Sequence, residues 1–205
     1  MPAEFLIHLA TGNANKAREL QRMADDAGAG LRFAAHADMP EVVEDTGSFV
    51  GNARKKAQAL KALLPANAWV LADDSGLCVD ELAGAPGVES AYFAGPAHDS
   101  QANLAKMVRV LRGVPSGRRG ATFVCVLVLL GPNGQEQVIE GHCPGRLLDD
   151  PRGQSGFGYD PLFVPQGEST TFAELSADAK NRLSHRGRAF TALVNWVQGP
   201  GGPRS

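Results

Sequence analysis

The stretch Leu71-Ala72-Asp73-Asp74-Ser75-Gly76 places two adjacent carboxylates at the point where an apolar run ends. Residues 69–72 have the composition of the end of a buried strand. Adjacent strand residues face opposite sides, so we expect the strand to end at Ala72 if both carboxylates point one way. Two carboxylates at the carboxyl end of a strand suit a divalent metal ion and an activated water. The alternative is a solvated turn, because Asp, Ser and Gly all favour turns.

Strand and helix patterns alternate along the first half of the chain. Apolar spacing predicts strands over residues 5–10, 31–34, 69–72 and 77–79. It predicts helices over 16–27, 49–64, 103–111 and 184–197. A hairpin is predicted from strands over 121–130 and 136–143, joined by a Gly-Pro-Asn-Gly turn. This order predicts an α/β fold with a mixed central sheet flanked by helices, in one domain over residues 1–198 with a disordered tail over 199–205.

The composition of the 205 residues is that of an ordinary globular protein, with 43% hydrophobic and 20% charged residues. A net charge of -2 argues against a nucleic-acid partner or an anionic membrane surface, since no global positive field is present. The amino terminus shows no signal peptide, and the longest apolar run, Phe123–Leu130, is far shorter than the roughly 20 residues that span a bilayer. The three cysteines lack a CxxC pair and indicate reduced core residues. Together these features predict a cytoplasmic protein.

The first candidate for phosphate binding is the segment Thr11-Gly12-Asn13-Ala14-Asn15-Lys16, which joins the first strand to the first helix. The start of a helix offers unpaired N–H groups and a partial positive charge, which suit a phosphate. The segment matches neither the P-loop nor the dinucleotide-binding pattern. The alternative is an ordinary loop in which Thr or Asn caps the helix.

Three further segments carry residues suited to chemistry. Glu44 and Asp45 precede a helix on which Asn52 and Lys56, four residues apart, flank the apolar stripe. The alternative is that the carboxylates cap this helix and that the Lys56 stem covers apolar surface. Two glycines bracket an aromatic residue in the stretch Ser155–Pro161, a pattern that suits stacking on a planar base or, alternatively, a tight turn.

The third of these segments supplies cations near the start of the last helix: Lys180, His185 and Arg186. Cationic side chains at a helix N-terminus oppose the helix dipole, so their presence points to an anionic or carbonyl ligand. The alternatives are a solvated face for the arginine and a capping role for the histidine.

Five motifs, in order, closely resemble the inosine/xanthosine triphosphate pyrophosphatase family. They are TGNANK, EDTGSFVGNARKKA, LADDSGLCVDELAGAPGVESAYFAG, GFGYDPLF and AELSADAKNRLSHRGRA. The family hydrolyses non-standard purine nucleoside triphosphates to a monophosphate and diphosphate. The resemblance covers nearly all of residues 5–197. It implies an elongated α/β fold with two lobes around an active-site cleft, a Mg²⁺ cofactor and a homodimer.

The resemblance also implies a role for each motif residue. The triphosphate would be held by Thr11, Gly12, Asn13, Ala14, Asn15 and Lys16, with Asn52 and Lys56. Glu44 and Asp74 would bind Mg²⁺, with Asp74 also the general base, Asp73 its supporting neighbour and Lys56 part of the catalytic group. Ser75 would contact the substrate. The base pocket would contain Phe157, Gly158, Tyr159, Asp160, Lys180, His185 and Arg186. One departure is Gly51, where the family commonly has Glu, and it removes a possible carboxylate near the metal.

The physical chemistry of the bases agrees with these implied roles. Hypoxanthine and xanthine carry an oxygen acceptor at position 6, where adenine carries an amino donor. Cationic donors would pair with the oxygen and oppose the amino group, which discriminates strongly between the two. The sequence therefore predicts hydrolysis of ITP, dITP and XTP. Two alternatives stay open: a hydrolase for other modified nucleotides, and a nucleotide sensor without catalysis, for which Gly51 is the motive.

Overall fold

The computed structural model describes residues 5–36, 39–200 and 202–203, and it contains a six-stranded sheet. The strands are β1 (Phe5–Leu9), β2 (Leu31–Ala35), β3 (Val70–Val79), β4 (Gly120–Leu130), β5 (Glu136–Leu147) and β6 (Phe163–Pro165). Their order in the sheet is β2-β1-β3-β4-β5-β6. β1 pairs in parallel with both β2 and β3, whereas β5 and β6 are antiparallel. The sheet is therefore mixed and flanked by helices, which confirms the predicted α/β class.

The helices are α1 (Ala14–Ala27), α2 (Phe49–Lys61), α3 (Ser100–Val110), α4 (Ala177–Leu183) and α5 (His185–Gln198). All four predicted helices are present, with ends that differ by a few residues. α2 ends before the predicted Leu64, and the Lys61 ammonium donates to the carbonyl oxygens of Ala66 and Ala68 beyond that end. The sequence did not predict α4, because seven residues are too few to display a helical period.

The prediction that a strand ends at Ala72 and that a turn follows is wrong. β3 continues through Asp73, Asp74, Ser75 and Gly76 to Val79 as one strand of ten residues. Its partner β1 pairs with it only as far as Leu71, so the two carboxylates lie mid-strand on β3 but just beyond the end of β1. The two aspartates are accommodated in a strand because their charges are paired, Asp73 with Lys16 and Arg186 and Asp74 with Lys56.

The chain divides into two compact units. The first contains Met1–Asp74, Cys125–Gly141 and Arg186–Ser205, and the second contains Ser75–Val124 and His142–His185. β3, β4 and β5 each contribute residues to both units. The prediction of one domain over residues 1–198 stays a prediction.

Each unit has its own apolar core. In the first unit, sheet residues pack with α1 and α5, and this core includes Ile7, Leu9, Leu20, Met23, Leu71, Leu127, Phe190 and Leu193. In the second unit, α3 and three aromatic rings are central, and this core includes Leu77, Leu104, Met107, Phe123, Leu162, Phe163 and Phe172. The ring centroids of Phe123 and Phe163 are 4.7 Å apart, in an edge-to-face arrangement. The burial of these side chains stabilises each unit.

The remaining sequence predictions concern the cysteines, the termini and the membrane. Cys78, Cys125 and Cys143 are not in disulfide bonds, and the last two are buried. Among the residues that the structure describes, no helix is long and apolar enough to cross a membrane. The prediction that there is no signal peptide concerns the amino-terminal residues, and residues 1–4 lie outside the described ranges. Positions 201, 204 and 205 of the predicted tail lie outside them as well.

Candidate active site

The loop between β1 and α1 presents polar groups at the start of a helix. Asn13 is the N-cap of α1, and its Oδ1 accepts hydrogen bonds from the backbone N–H groups of Asn15 and Lys16 at 2.9 and 3.2 Å. The Thr11 hydroxyl oxygen accepts from the Asn13 N–H at 3.1 Å. Gly12 has open space where a side chain would start. The predicted loop with a capping asparagine is therefore present, with exposed backbone that an anion can approach.

Asp73 lies at the centre of a buried charge cluster on the α1 and α5 side of β3. Its carboxylate is 2.5 Å from Lys16 Nζ, 2.9 Å from Arg186 Nε and 3.2 Å from the Cys125 thiol. Arg186 also contacts Glu19, at 2.6 Å. Burial by itself raises the pKa of Asp73, but the Arg186 guanidinium and the Lys16 ammonium outweigh it and hold that pKa well below its usual range. The two cations therefore favour the ionised form of Asp73.

Asp74 faces the opposite side of the sheet, toward α2. Its Oδ1 accepts a hydrogen bond from Lys56 Nζ at 2.8 Å, and the same ammonium contacts Glu44 Oε2 at 3.0 Å. Burial raises the pKa of Asp74 to about 6, despite the opposing attraction of Lys56. Burial also opposes the charge on Lys56, but Asp74 and Glu44 outweigh it and raise the pKa of that lysine. Glu44 keeps a lowered pKa, since Lys56 outweighs its partial burial.

Two buried polar atoms beside this cluster lack a hydrogen-bond partner among the described residues. They are Asp74 Oδ2 and Asn52 Nδ2, in residues that are 5% and 0% exposed. Asn52 lies one turn before Lys56 on α2. An unpaired buried polar group costs about 1–3 kcal/mol, so a ligand that pairs both atoms would recover that cost. The acceptor suits a cation and the donor suits an anion.

The two carboxylates of this cluster fit a magnesium ion that is shared with a substrate. No group of three or more His, Cys, Asp or Glu side chains that could hold a metal occurs within the described ranges. Mg²⁺ commonly uses one or two protein carboxylates, and it takes water and substrate phosphate oxygens as the other ligands. Glu44 and Asp74, both within hydrogen-bond distance of Lys56, meet this requirement, and Asp74 Oδ2 is a buried acceptor without a partner.

The second unit contains the predicted aromatic loop. Asp160 is buried, and its Oδ2 accepts from the Phe157 N–H and from Lys180 Nζ, both at 2.8 Å. Lys180 Nζ lies 4.9 Å from the centre of the Phe157 ring. Gly158 has a φ of 63°, a conformation that favours glycine in this turn. The loop thus combines a partly buried aromatic face with a cation whose position a buried carboxylate fixes.

Tyr159 and His185 are both buried in the second unit. The Tyr159 hydroxyl donates to the Ser90 carbonyl oxygen at 2.9 Å, and burial raises the pKa of that phenol. The His185 ring stacks on Phe123, with centroids 4.7 Å apart and planes 9° apart. Neither placement tests the roles that the resemblance implies, so base contacts by Tyr159 and His185 stay predictions.

The structure groups the predicted site residues by unit. The first unit holds those predicted for the phosphates, the metal and the catalytic group, and also Arg186, which was predicted for the base: Thr11, Gly12, Asn13, Ala14, Asn15, Lys16, Glu44, Asn52, Lys56, Asp73, Asp74 and Arg186. The second unit holds Ser75, Phe157, Gly158, Tyr159, Asp160, Lys180 and His185. Arg186 contacts Asp73 and Glu19, so its predicted role at the base stays a prediction.

Sequence reasoning missed several residues that hold the site residues in place. Glu19 lies three residues after Lys16, on the same face of α1, and that spacing could have identified it. Thr46 bonds to Asn52, and its place in the predicted second segment was the available signal. Cys125 lies in a continuous apolar run and Ser90 in a loop, so neither carried a signal.

Carboxylates and lysines lie just past the end of β1, beside its parallel partner β3. This arrangement defines an α/β protein that is suited to binding a phosphorylated ligand. Comparison with known proteins makes this specific. The Ham1 family profile matches residues 7–196, and the chain belongs to the Ham1 family. A dITP/XTP pyrophosphatase of Opitutus terrae is 58% identical over 197 residues, covering 93% of this chain and 97% of that protein.

Solved structures agree with the family assignment. The Ham1 protein of Staphylococcus aureus is similar with a TM-score of 0.82 and 33% identity, over 95% of this chain and 99% of that one. A nucleoside-triphosphatase / dITP/XTP pyrophosphatase from Mycobacterium abscessus is similar with a TM-score of 0.72 and 42% identity, over 92% of this chain and 97% of that one. These findings confirm the family resemblance and the α/β fold with a mixed central sheet.

Proposed function

We propose that this protein hydrolyses ITP, dITP and XTP to the nucleoside monophosphate and diphosphate, and thereby prevents their incorporation into DNA and RNA. The observation that carries the proposal is the Glu44–Lys56–Asp74 cluster, in which one oxygen of the buried Asp74 carboxylate has no partner. Membership of the Ham1 family and the names of the relatives support the choice of substrate.

Asp74 is the proposed general base. Water attacks the α-phosphorus, and Asp74 accepts the proton that this water loses. A base works best when its pKa lies near the working pH, and in the metal-free protein burial raises the pKa of Asp74 to about 6. Lys56 donates to Asp74 Oδ1, which fixes the carboxylate while leaving Oδ2 without a protein partner.

Charge on the triphosphate is neutralised by cations of the first unit. Lys16 and Lys56 supply positive side chains, and the start of α1 supplies backbone N–H groups. We propose that Glu44 and Asp74 hold Mg²⁺, which when bound withdraws charge from the phosphate oxygens. Lys16 is now paired with Asp73, and Arg186 stays beside that carboxylate when Lys16 turns to the substrate.

The second unit carries the residues proposed for the base. Lys180 is a donor whose position Asp160 fixes, and the Phe157 ring beside it offers a surface for stacking. A 6-oxo purine presents an acceptor to this ammonium, whereas adenine presents an amino donor. The unfavourable donor–donor contact is the proposed reason for rejecting ATP.

We propose further that the protein is a homodimer located in the cytoplasm, without a nucleic-acid or membrane partner. The family resemblance supports the dimer, free cysteines suit a reducing compartment, and the net charge of -2 gives no attraction to nucleic acid or an anionic membrane. Light scattering coupled to size exclusion tests the dimer, and a single-chain mass of 21.6 kDa contradicts it.

The test is diphosphate release with Mg²⁺ from ITP, XTP, GTP and ATP by wild type and Asp74→Asn. We expect release from ITP and XTP, little from ATP because of its 6-amino donor, and little from GTP because Phe157 crowds its 2-amino group. We expect a loss of about a hundredfold to ten-thousandfold in the variant. The matched control is Asp150→Asn, an exposed aspartate, which retains full activity. Orthophosphate as the first product overturns the reaction, whereas equal turnover of all four nucleotides overturns only the account of base selection.

A further inference from the structure

The buried amide of Asn52 is held from one side by Thr46. Asn52 Oδ1 accepts from the Thr46 backbone N–H at 3.2 Å, and it is 2.7 Å from the Thr46 hydroxyl. A backbone N–H can only donate, so the oxygen of the amide must face Thr46. The Nδ2 group therefore points away from Thr46, and it is the buried donor without a partner described above.

The direction of this donor matters because of what lies on the same helix. Lys56 follows Asn52 by one turn and contacts Asp74, whose Oδ2 is likewise buried without a partner. A buried N–H donor beside an ammonium suits an anionic oxygen, and in the proposed substrate the anionic oxygens belong to the triphosphate. A flipped amide would offer a carbonyl oxygen to that anion and would repel it.

We propose that Thr46 is a positioning residue, which fixes the Asn52 amide so that Nδ2 donates to a phosphate oxygen of the substrate. The inference rests on the proposed function and deepens it. Two groups of Thr46 act together. The N–H selects the orientation of the amide, and the hydroxyl donates to Asn52 Oδ1 at 2.7 Å in preference to its other acceptor, the Ser48 carbonyl oxygen at 3.1 Å. Thr46 itself is exposed and does not touch the catalytic carboxylates, so it acts through Asn52.

Gly51 supplies the space that Thr46 requires. A Cβ atom built at Gly51 overlaps the Oγ1 and Cβ atoms of Thr46, and it lies 2.8 Å from Ser48 Oγ. Ser48 is the N-cap of α2, and its hydroxyl oxygen accepts from the Gly51 N–H, so the loop has little freedom to move aside. Thr46 can therefore reach Asn52 only because residue 51 has no side chain. This reading also means that Gly51→Glu displaces Thr46 instead of simply adding a carboxylate.

The test compares Thr46→Val, which removes the hydroxyl but keeps the shape, with Thr46→Ser, which keeps the hydroxyl. With ITP and Mg²⁺, we expect Thr46→Val to raise KM about tenfold with a smaller change in kcat, since one hydrogen bond is worth about one factor of ten. Thr46→Ser retains a KM close to wild type. Thr46→Val added to Asn52→Ala leaves KM where Asn52→Ala alone puts it.

Gly51→Ala gives a second, independent variant. We expect it to raise KM as Thr46→Val does, because the new methyl group pushes Thr46 away. Its matched control is Gly117→Ala, since Gly117 has open space at the Cβ position and no positive φ, and this variant keeps the wild-type KM. Binding of inorganic tripolyphosphate to all variants, measured by calorimetry, does not require turnover. We expect the affinities for tripolyphosphate to decrease in the same order as the KM values increase.

Different results would overturn the positioning role of Thr46 and the proposed function. If wild type hydrolyses ITP but Thr46→Val and Gly51→Ala keep its KM while Asn52→Ala loses affinity, the positioning role of Thr46 is overturned. If wild type releases no diphosphate from any nucleotide, the proposed function is overturned, and tripolyphosphate binding decides the role of Thr46. Equal affinity of Thr46→Val and Thr46→Ser for tripolyphosphate then overturns it.

Discussion

Asp73 and Asp74 are neighbours on β3, yet their carboxyl groups have opposite pKa shifts. Burial alone would raise the pKa of Asp73, but the Arg186 and Lys16 cations beside it hold that pKa far below the ordinary value. Asp74 has one ammonium group beside it, that of Lys56, which also contacts Glu44. Burial raises the pKa of Asp74 to about 6. Since strand residues alternate between faces, a single peptide step places the two carboxylates in different surroundings. One residue is thereby suited to a fixed charge and the other to proton transfer.

The raised pKa of Asp74 predicts a pH-dependent cost in the metal-free protein. An acid whose pKa is higher in the folded state carries no penalty below about pH 4, and the full penalty appears above pH 6. In EDTA, we expect Asp74→Asn to gain stability over wild type by about 1 kcal/mol more at pH 8 than at pH 5. Urea unfolding at the two pH values measures this difference.

The control for this experiment is Asp45→Asn. Asp45 is an exposed carboxylate paired with Lys55, and its pKa is lowered, so its replacement should bring no gain at higher pH. A difference between Asp74→Asn and wild type that is the same at pH 5 and pH 8 would contradict the raised pKa.

At the scale of elements, α1 depends on its N-cap. Asn13 Oδ1 accepts two backbone hydrogen bonds, so Asn13→Ala is expected to destabilise the protein by about 1 kcal/mol. Asn13→Asp keeps an acceptor at the cap and should retain the stability. Its negative charge, however, opposes a triphosphate at the same helix start, so it should raise KM for ITP. Thermal unfolding and steady-state kinetics separate the two effects, and a parallel loss of stability in Asn13→Asp would contradict the capping argument.

The long elements were predictable because their apolar patterns extend over two or more turns or over a full strand. α1, α2 and β4 are examples, and their observed ends lie within about three residues of the predicted ones. β3 was predicted as two pieces, because Asp, Ser and Gly disfavour strands when they are judged singly. Its charges are paired with Lys16, Arg186 and Lys56, and those partners come from distant parts of the chain. The local sequence of β3 therefore does not indicate these ion pairs.

The candidate site was predictable to a similar depth. The resemblance grouped Glu44, Lys56 and Asp74, and the structure brings their charged atoms within hydrogen-bond distance. The contacts of Thr46 with Asn52 depend on the backbone conformation of a loop, which residue type alone does not specify. For this reason Gly51 could be interpreted from sequence only as a missing carboxylate, whereas the structure shows what occupies its space.

At the scale of the whole molecule, each of the two units has a separate core, but three strands run from one unit into the other without interruption. Loss of either core should therefore unfold strands that the other core needs. We expect the chain to unfold in a single cooperative transition.

Leu127→Ala in the first core and Leu162→Ala in the second test this expectation, because both side chains are fully buried. Each is expected to cost about 2–5 kcal/mol. Both tryptophans, Trp69 and Trp196, belong to the first unit, so their fluorescence reports on that unit. Leu162→Ala should nevertheless lower the urea midpoint measured by fluorescence as much as the midpoint measured by circular dichroism.

The control is Leu63→Ala, at a side chain that is 66% exposed, and it should leave both midpoints nearly unchanged. A fluorescence midpoint that Leu162→Ala does not shift would show that the two units unfold independently.

The alternation of Asp73 and Asp74 along β3 has a consequence for how this gene can change. Deleting or inserting one codon before Asp73 within the strand would shift its register by one residue and exchange the two faces. An insertion would bring the carboxylate that belongs with Arg186 to the place opposite Lys56, and a deletion would bring the one that belongs with Lys56 into the buried cluster around Arg186. A substitution in this strand alters a single side chain, whereas a change in its length moves a whole run of side chains to the other face. Insertions and deletions in sequences that descend from this one should therefore occur in loops such as residues 93–99 and not in β3.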